Sequence, residues 1–164
     1  MGPYVLDSNF FIQASRAHYP FDVAPGFWKK VSQLAEKEKI ISIDKVQDEL
    51  SKNKDELQSW IEGNLNDNFW KDTSGVLHAY GRIATWAASK ANHYKPQAIN
   101  EFLNAAEADA WLVAYALTHK LVIVTHEVSS PEGKSRIKIP DVCDQFTIPY
   151  VNTIQMFRNL GEKF

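Results

Sequence analysis

Four short runs of the chain are apolar and rich in β-branched residues, and turn formers or helix-starting residues bound them: Tyr4 to Leu6, Ile40 to Ile43, Leu121 to Val124 and Thr147 to Val151. Unbroken apolar character at that length predicts strands buried on both faces. Between them the apolar positions recur at helical spacing, most clearly over Phe27 to Glu38, Lys45 to Leu50, Val76 to Ala88 and the alanine-rich Ala105 to Leu117. Strands alternating with helices predict an α/β fold with a parallel sheet covered on both faces.

The stretch from Ser51 to Asn100 contains no strand pattern and carries Trp60, Trp70 and Trp86 among Leu57, Ile61, Leu65 and Ile83, which predicts a helical insertion packed on the sheet. Asn64 to Asn68 and Asp72 to Gly75 are its expected breaks, because Asn, Asp, Ser and Gly favour caps and turns. Ser129 to Lys138 reads as a loop.

Composition narrows the class. The 164 residues fit one domain, expected to span 1–164 with the insertion inside it, and 45% hydrophobic against 23% charged residues marks a globular chain. A net charge of -2 makes any recognition of phosphate a local matter. Cys143 is the single cysteine, which excludes a disulfide framework or a multi-thiolate zinc site and leads us to expect a reducing, cytoplasmic setting. No apolar run reaches the length of a membrane span, and Asp7 interrupts the first one before a signal-peptide core could form, so no membrane partner is expected.

In open parallel sheets, sites form beyond the carboxyl ends of the strands. The first strand runs into Asp7-Ser8-Asn9, the second into Asp44 to Leu50, and the third into Thr125-His126-Glu127. A helix adds a fourth acid: Asp109 precedes Leu112, Val113 and Ala116 by three, four and seven residues and shares their apolar face. Glu49 has a similar placement beside Val46 and Leu50, on a helix expected to begin with Asp44 as its cap. Taken singly, each acid has a structural role open to it, as a cap, a partner for first-turn amides or a loop charge. Together, Asp7, Glu49, Asp109 and Glu127 would repel one another unless a cation compensates, and an all-oxygen set favours Mg²⁺ or Mn²⁺ over zinc.

These residues resemble the PIN domain, on the strength of Asp7-Ser8-Asn9, Asp48-Glu49-Leu50, Ala108-Asp109-Ala110-Trp111 and Val124-Thr125-His126-Glu127. More closely, Tyr19-Pro20-Phe21-Asp22, Pro25-Gly26-Phe27-Trp28 and Lys138-Ile139-Pro140-Asp141-Val142-Cys143 resemble a bacterial PIN-like subgroup known mainly as a domain of unknown function. The resemblance implies a three-layer α/β/α fold with four or five parallel strands and one or two Mg²⁺ or Mn²⁺ ions. It implies a ribonuclease similar to the VapC-type toxins of toxin-antitoxin pairs, with RNA as substrate, a cognate antitoxin as partner and a homodimer as a possible assembly. The family's acids fall on Asp7, Glu49, Asp109 and Glu127, and its supporting polar positions on Asn9 and Thr125. At the last acid the family usually carries Asp, whereas this chain has the longer Glu127.

In that reading the acids position the metal, with Asp7 and Asp109 as direct ligands, Glu49 as ligand or proton acceptor and Glu127 toward a second ion or an outer water. Asn9 orients Asp7 or meets a phosphate. His126, expected to be the one histidine beside the pocket, contacts phosphate or protonates the leaving oxygen, with an ordinary loop histidine as the alternative. Lys134, Arg136 and Lys138 alternate, so an extended loop would project all three to one side along an RNA backbone, if they are more than solvated charges. Arg16, His18 and Tyr19 form a second candidate contact patch. Tryptophans at helical spacing are expected in the core, and Cys143 as a small buried hydrophobe.

Two other functions suit acids at strand ends. One is a catalytically silent binding module, which four mutually repelling carboxylates disfavour. The other is a phosphatase or phosphotransfer domain, for which the chain lacks the second Asp of an Asp-x-Asp motif and any Gly-rich phosphate loop.

Overall fold

The computed structural model describes residues 2–164; Met1, the first residue of the expected domain, lies outside them. Five strands, β1 (Tyr4–Leu6), β2 (Ile40–Ile43), β3 (Trp70–Lys71), β4 (Ile123–Val124) and β5 (Tyr150–Val151), form one sheet in the order β3-β2-β1-β4-β5. Every pairing is parallel. Residues of β1, β2 and β4 are buried without alternation, as strands covered on both faces must be. The cover consists of α1 (Ser8–Gln13), α2 (Pro25–Glu36), α3 (Asp44–Ser51), α4 (Glu56–Asn64), α5 (Leu77–Ser89), α6 (Pro96–Phe102), α7 (Asp109–His119), α8 (Ile139–Phe146) and α9 (Thr153–Leu160). The expected three-layer α/β/α arrangement with a parallel sheet is what the chain adopts.

The first two strands fall where the sequence puts them, while the third and fourth predicted runs are too long at their starts. Lys120 and Thr147 have φ of 56° and 58°, and the amides of Leu121 and Ile148 turn back to the carbonyls of Ala116 and Cys143. Those opening residues therefore close the preceding helices in a left-handed cap before the strands begin. The same device ends α2, where Glu38 has φ 54° and the Lys39 amide reaches the Leu34 carbonyl.

The region 51–100 is not free of strands. Trp70 and Lys71 pair with Ser42 and Ile43 to make β3 at the sheet edge. A two-residue strand carries no periodicity, and only the exposed edge of β2 makes it one. Three helices, α4, α5 and α6, fill or reach across the rest of the insertion, with breaks near Leu65 and Thr73 as expected. Asp44 is the first residue of α3 rather than its cap. Its carboxylate accepts from the Lys45 amide (2.8 Å), the Thr73 hydroxyl (2.8 Å) and the Thr73 amide (3.2 Å), fastening the insertion to the end of β2. Asp44→Ala leaves the buried Thr73 without its acceptor, and a loss of about 1–3 kcal/mol in denaturant-determined stability is expected. A loss below a few tenths would show that water replaces the carboxylate.

The core runs through the sheet into an aromatic cluster. Phe27 is fully buried, stacks on Tyr19 at 4.2 Å between ring centroids and meets Phe10, Trp28, Phe157 and Phe164. The Trp28 indole donates to the Tyr19 carbonyl at 2.7 Å, which satisfies its one polar atom. Trp28 and Trp70 are buried, and Trp60, Trp86 and Trp111 pack against the core, as expected of tryptophans at helical spacing. Cys143 is fully buried and burial pushes its thiol up to about 12, the behaviour of a small hydrophobe. No described helix is long and apolar enough to cross a membrane.

Candidate acidic site

Asp7 follows β1 directly and stands at the N-cap position of α1, yet its side chain makes no capping bond. It accepts instead from the Thr125 hydroxyl at the end of β4 (2.9 Å), with the Ser8 hydroxyl more distant at 3.4 Å. The two strand ends lie side by side because β1 and β4 are neighbours, with Leu6 in register with Val124. Thr125 also accepts from the Glu127 amide (3.1 Å), so one buried hydroxyl orients an acid from each strand end. Asp7 is 1% exposed. Burial first, then the charges of Glu127 and Glu49, push its carboxyl up to about 6.

Asp109 opens α7 rather than lying inside a longer helix. Ala105 to Ala108 are outside it: the Ala106 amide goes to the Asn104 side chain, the Glu107 amide to the Asn104 carbonyl and the Ala108 amide to Glu49 Oε1 at 2.8 Å. The last bond ties α3 to the start of α7 and sets Glu49 beside the cluster. Burial, followed by the neighbouring charges of Asp7 and Glu127, raises the Asp109 carboxyl well above its ordinary value; burial also raises Glu49. The four acids thus feel one another.

Glu127 is the best-held member. Its side chain is 5% exposed, Oε2 accepts from the Ile139 amide at the start of α8 (2.7 Å) and Oε1 from the Arg136 guanidinium (2.6 Å). The same guanidinium lies 3.5 Å from Asp109 Oδ2. A carboxylate that must meet a helix amide and a guanidinium from a single point on β4's exit has use for the longer reach of Glu.

The remaining predicted residues separate. Asn9 is half-buried on α1, and its side chain has no hydrogen-bond partner among the described residues. Lys134 is exposed and Lys138 half-buried, but Arg136 turns into the acids. The basic row expected along the loop is therefore broken at its middle member, whose guanidinium is drawn to the carboxylates of Glu127 and Asp109. His126 is half-buried and its Nε2 lies 3.1 Å from the Thr153 hydroxyl. It is not alone: the His18 ring stands 5.4 Å away, edge to face, from the π-helical segment Ala14–His18. Burial, and then His18, lower the His126 pKa. The pairing spans more than a hundred positions of chain, and nothing in local sequence signals it.

A cleft of about 430 Å³ opens beside the acids, lined by Asp109, Arg136, Glu101, Glu107, Phe102 and Ile137 among others. Among the described residues, no three Asp, Glu, His or Cys side chains are disposed, as they stand, to hold one metal ion. The donor set is nonetheless suited to a hard divalent cation, since it is all oxygen and its carboxyls are raised in part by mutual repulsion that such an ion would relieve.

The profile of a family described as "Domain of unknown function (DUF4411)" matches residues 4–164. The chain belongs to this family. The fold agrees with the PIN-like one the resemblance implies: the chain is similar to the crystal structure of VapBC2 from Rickettsia felis bound to a DNA fragment from their promoter, with a TM-score of 0.53 and 18% identity over 91% of this chain and 97% of that one. At that identity the likeness is one of fold. No curated protein matches the chain.

Proposed function

We propose that this DUF4411 protein is a divalent-metal-dependent endoribonuclease, the toxin of a toxin-antitoxin pair. The observation that carries the reading is the convergence of Asp7, Glu49, Asp109 and Glu127 from four separate elements at the carboxyl end of the parallel sheet, with Asp7 and Asp109 held above the ordinary carboxylate range. Such an arrangement is costly for folding, and a cation-assisted reaction on a phosphodiester gives it a use. The similarity in fold to VapBC2 supports the same direction and an antitoxin as partner.

Bound Mg²⁺ or Mn²⁺ supplies the charge that polarises a phosphoryl oxygen and makes water a competent nucleophile. Asp7 and Asp109 are the proposed direct ligands. Thr125 keeps Asp7 oriented through its hydroxyl, and Glu49, beside them, is placed to ligate or to take a proton from the attacking water. Glu127, with both oxygens engaged, acts at the margin, through an outer water or a second ion. Asn9, with its amide uncommitted, is free to meet a phosphate without adding charge.

The test is cleavage of total cellular RNA by the purified protein with Mg²⁺ or Mn²⁺ and with chelator. Metal-dependent cutting that chelator abolishes, with discrete mapped ends, is the expected result. Cutting that persists in chelator would overturn the metal dependence, and an absence of cutting by protein shown calorimetrically to bind the ion would overturn the nuclease reading and favour a binding module.

A further inference from the structure

Each acid of the cluster is already engaged by a donor of the chain itself: Asp7 by Thr125, Glu49 by the Ala108 amide, Glu127 by the Ile139 amide and Arg136, and Asp109, among the described residues, by Arg136 alone. Arg136 is the one full positive charge among these donors, and it bridges two acids that come from different elements. We propose that Arg136 is a resident counter-cation of the site, seated where it competes with a divalent ion and displaced from Asp109 when the ion enters. The inference rests on the metal-dependent reading above and deepens it.

Three features single out the arginine. Its bond to Glu127 is short and charge-assisted, whereas the 3.5 Å approach to Asp109 is loose. Apart from Arg136, the charged groups acting on Asp109 are the acids Asp7, Glu127 and Glu49, so a stronger cation there relieves repulsion from three sides. Finally, the side chain is half exposed while the backbone around it is fixed. Ile137 is buried, the Lys134 carbonyl accepts from the Lys95 amide, and the Ser129 hydroxyl and Ser130 amide both donate to Asp141. A guanidinium on an anchored stretch with an open route to water can swing out without moving the loop. Burial works against its charge, but Glu127 and Asp109 outweigh burial and keep it charged.

An alternative role, in which Arg136 positions these acids for the ion, predicts the opposite effect of removing it.

The two roles separate in calorimetric titration of Mn²⁺ into the metal-free protein at pH 7 and low ionic strength, for wild type, Arg136→Ala and Arg136→Gln. The glutamine variant keeps much of the stem, so loss of packing in the alanine variant is recognised by comparison, and thermal melts confirm that each is folded. Removing a competing charge at this distance is expected to tighten Mn²⁺ binding by about tenfold in both variants. The melting temperature of the metal-free variants should fall, and their gain on adding Mn²⁺ should exceed that of wild type. Equal or weaker Mn²⁺ binding in both variants overturns the counter-cation role while leaving the metal site standing. Absence of Mn²⁺ binding in wild type and both variants overturns the metal-dependent reading and the inference with it.

Discussion

Asp7→Asn is expected to reduce metal-dependent RNA cleavage by more than about 100-fold while making the metal-free protein more stable at neutral pH. The activity loss follows from the position of Asp7 as a proposed direct ligand, since removal of an outer-shell partner alone costs about 10–100-fold. The gain in stability follows from the sign of its titration. An unfolded Asp titrates near 3.8, whereas burial and the nearby acids raise the folded carboxyl to about 6. A folded value above the unfolded one means that the stabilising contribution is present in full below about pH 4 and is lost as pH rises through 6. For a group 1% exposed the difference corresponds to a contribution on the order of 3 kcal/mol. Wild type should therefore melt at lower temperature at pH 7 than at pH 5, and Asp7→Asn, neutral throughout, should flatten that slope. Glu49 and Asp109 act in the same sense, so the slope is reduced rather than abolished. Melts of both proteins at pH 5, 6 and 7 in chelator decide the matter; a variant less stable than wild type at pH 7 would mean that the Thr125 bond outweighs the cost of the buried charge.

Phe27→Ala should destabilise the fold by about 3–5 kcal/mol, the cost of emptying a large, fully buried aromatic site. Because whole domains carry only about 5–15 kcal/mol, this single change removes a large part of the total. Phe27 is the ring on which Tyr19, Phe157, Phe164, Phe10 and Trp28 converge. Its loss also loosens Tyr19, which follows the π-helical segment that brings His18 to His126. Guanidinium titration should show a lower midpoint with little change in slope, and Phe27→Leu should fall between. A loss below about 1 kcal/mol would mean that the cluster collapses to fill the space.

What could be read from the sequence follows the range over which each feature is determined. Tyr4 to Leu6 and Ile40 to Ile43 are strands because their own residues demand burial on both faces, and they fall as predicted. Trp70 and Lys71 are a strand only because β2 offers an open edge, a fact that no window of local sequence contains. The alanines before Asp109 favour a helix by propensity, but Asn104 and Glu49 capture their amides and delay it. Asp7 and Glu127 were legible because strand ends in a parallel sheet converge by topology, and Glu49 and Asp109 because they stand on the apolar faces of helices. Arg136 was legible as a basic residue but not as a partner of those acids, since Asp109 and Glu127 reach it only through the tertiary fold. His18 was given no place beside His126 for the same kind of reason.

The position of β1 in the middle of the sheet bears on how the protein is born. Asp7 is made 118 residues before the Thr125 hydroxyl that orients it, and the β4 neighbour of β1 arrives with that hydroxyl. At about 5–20 residues per second, translation takes several seconds to cover that distance. Throughout that interval the first acid of the cluster is on a strand lacking its second neighbour, and the proposed site cannot assemble on the nascent chain until most of the domain has been made. A site built on this topology thus stays unassembled for most of the time its own chain is being made.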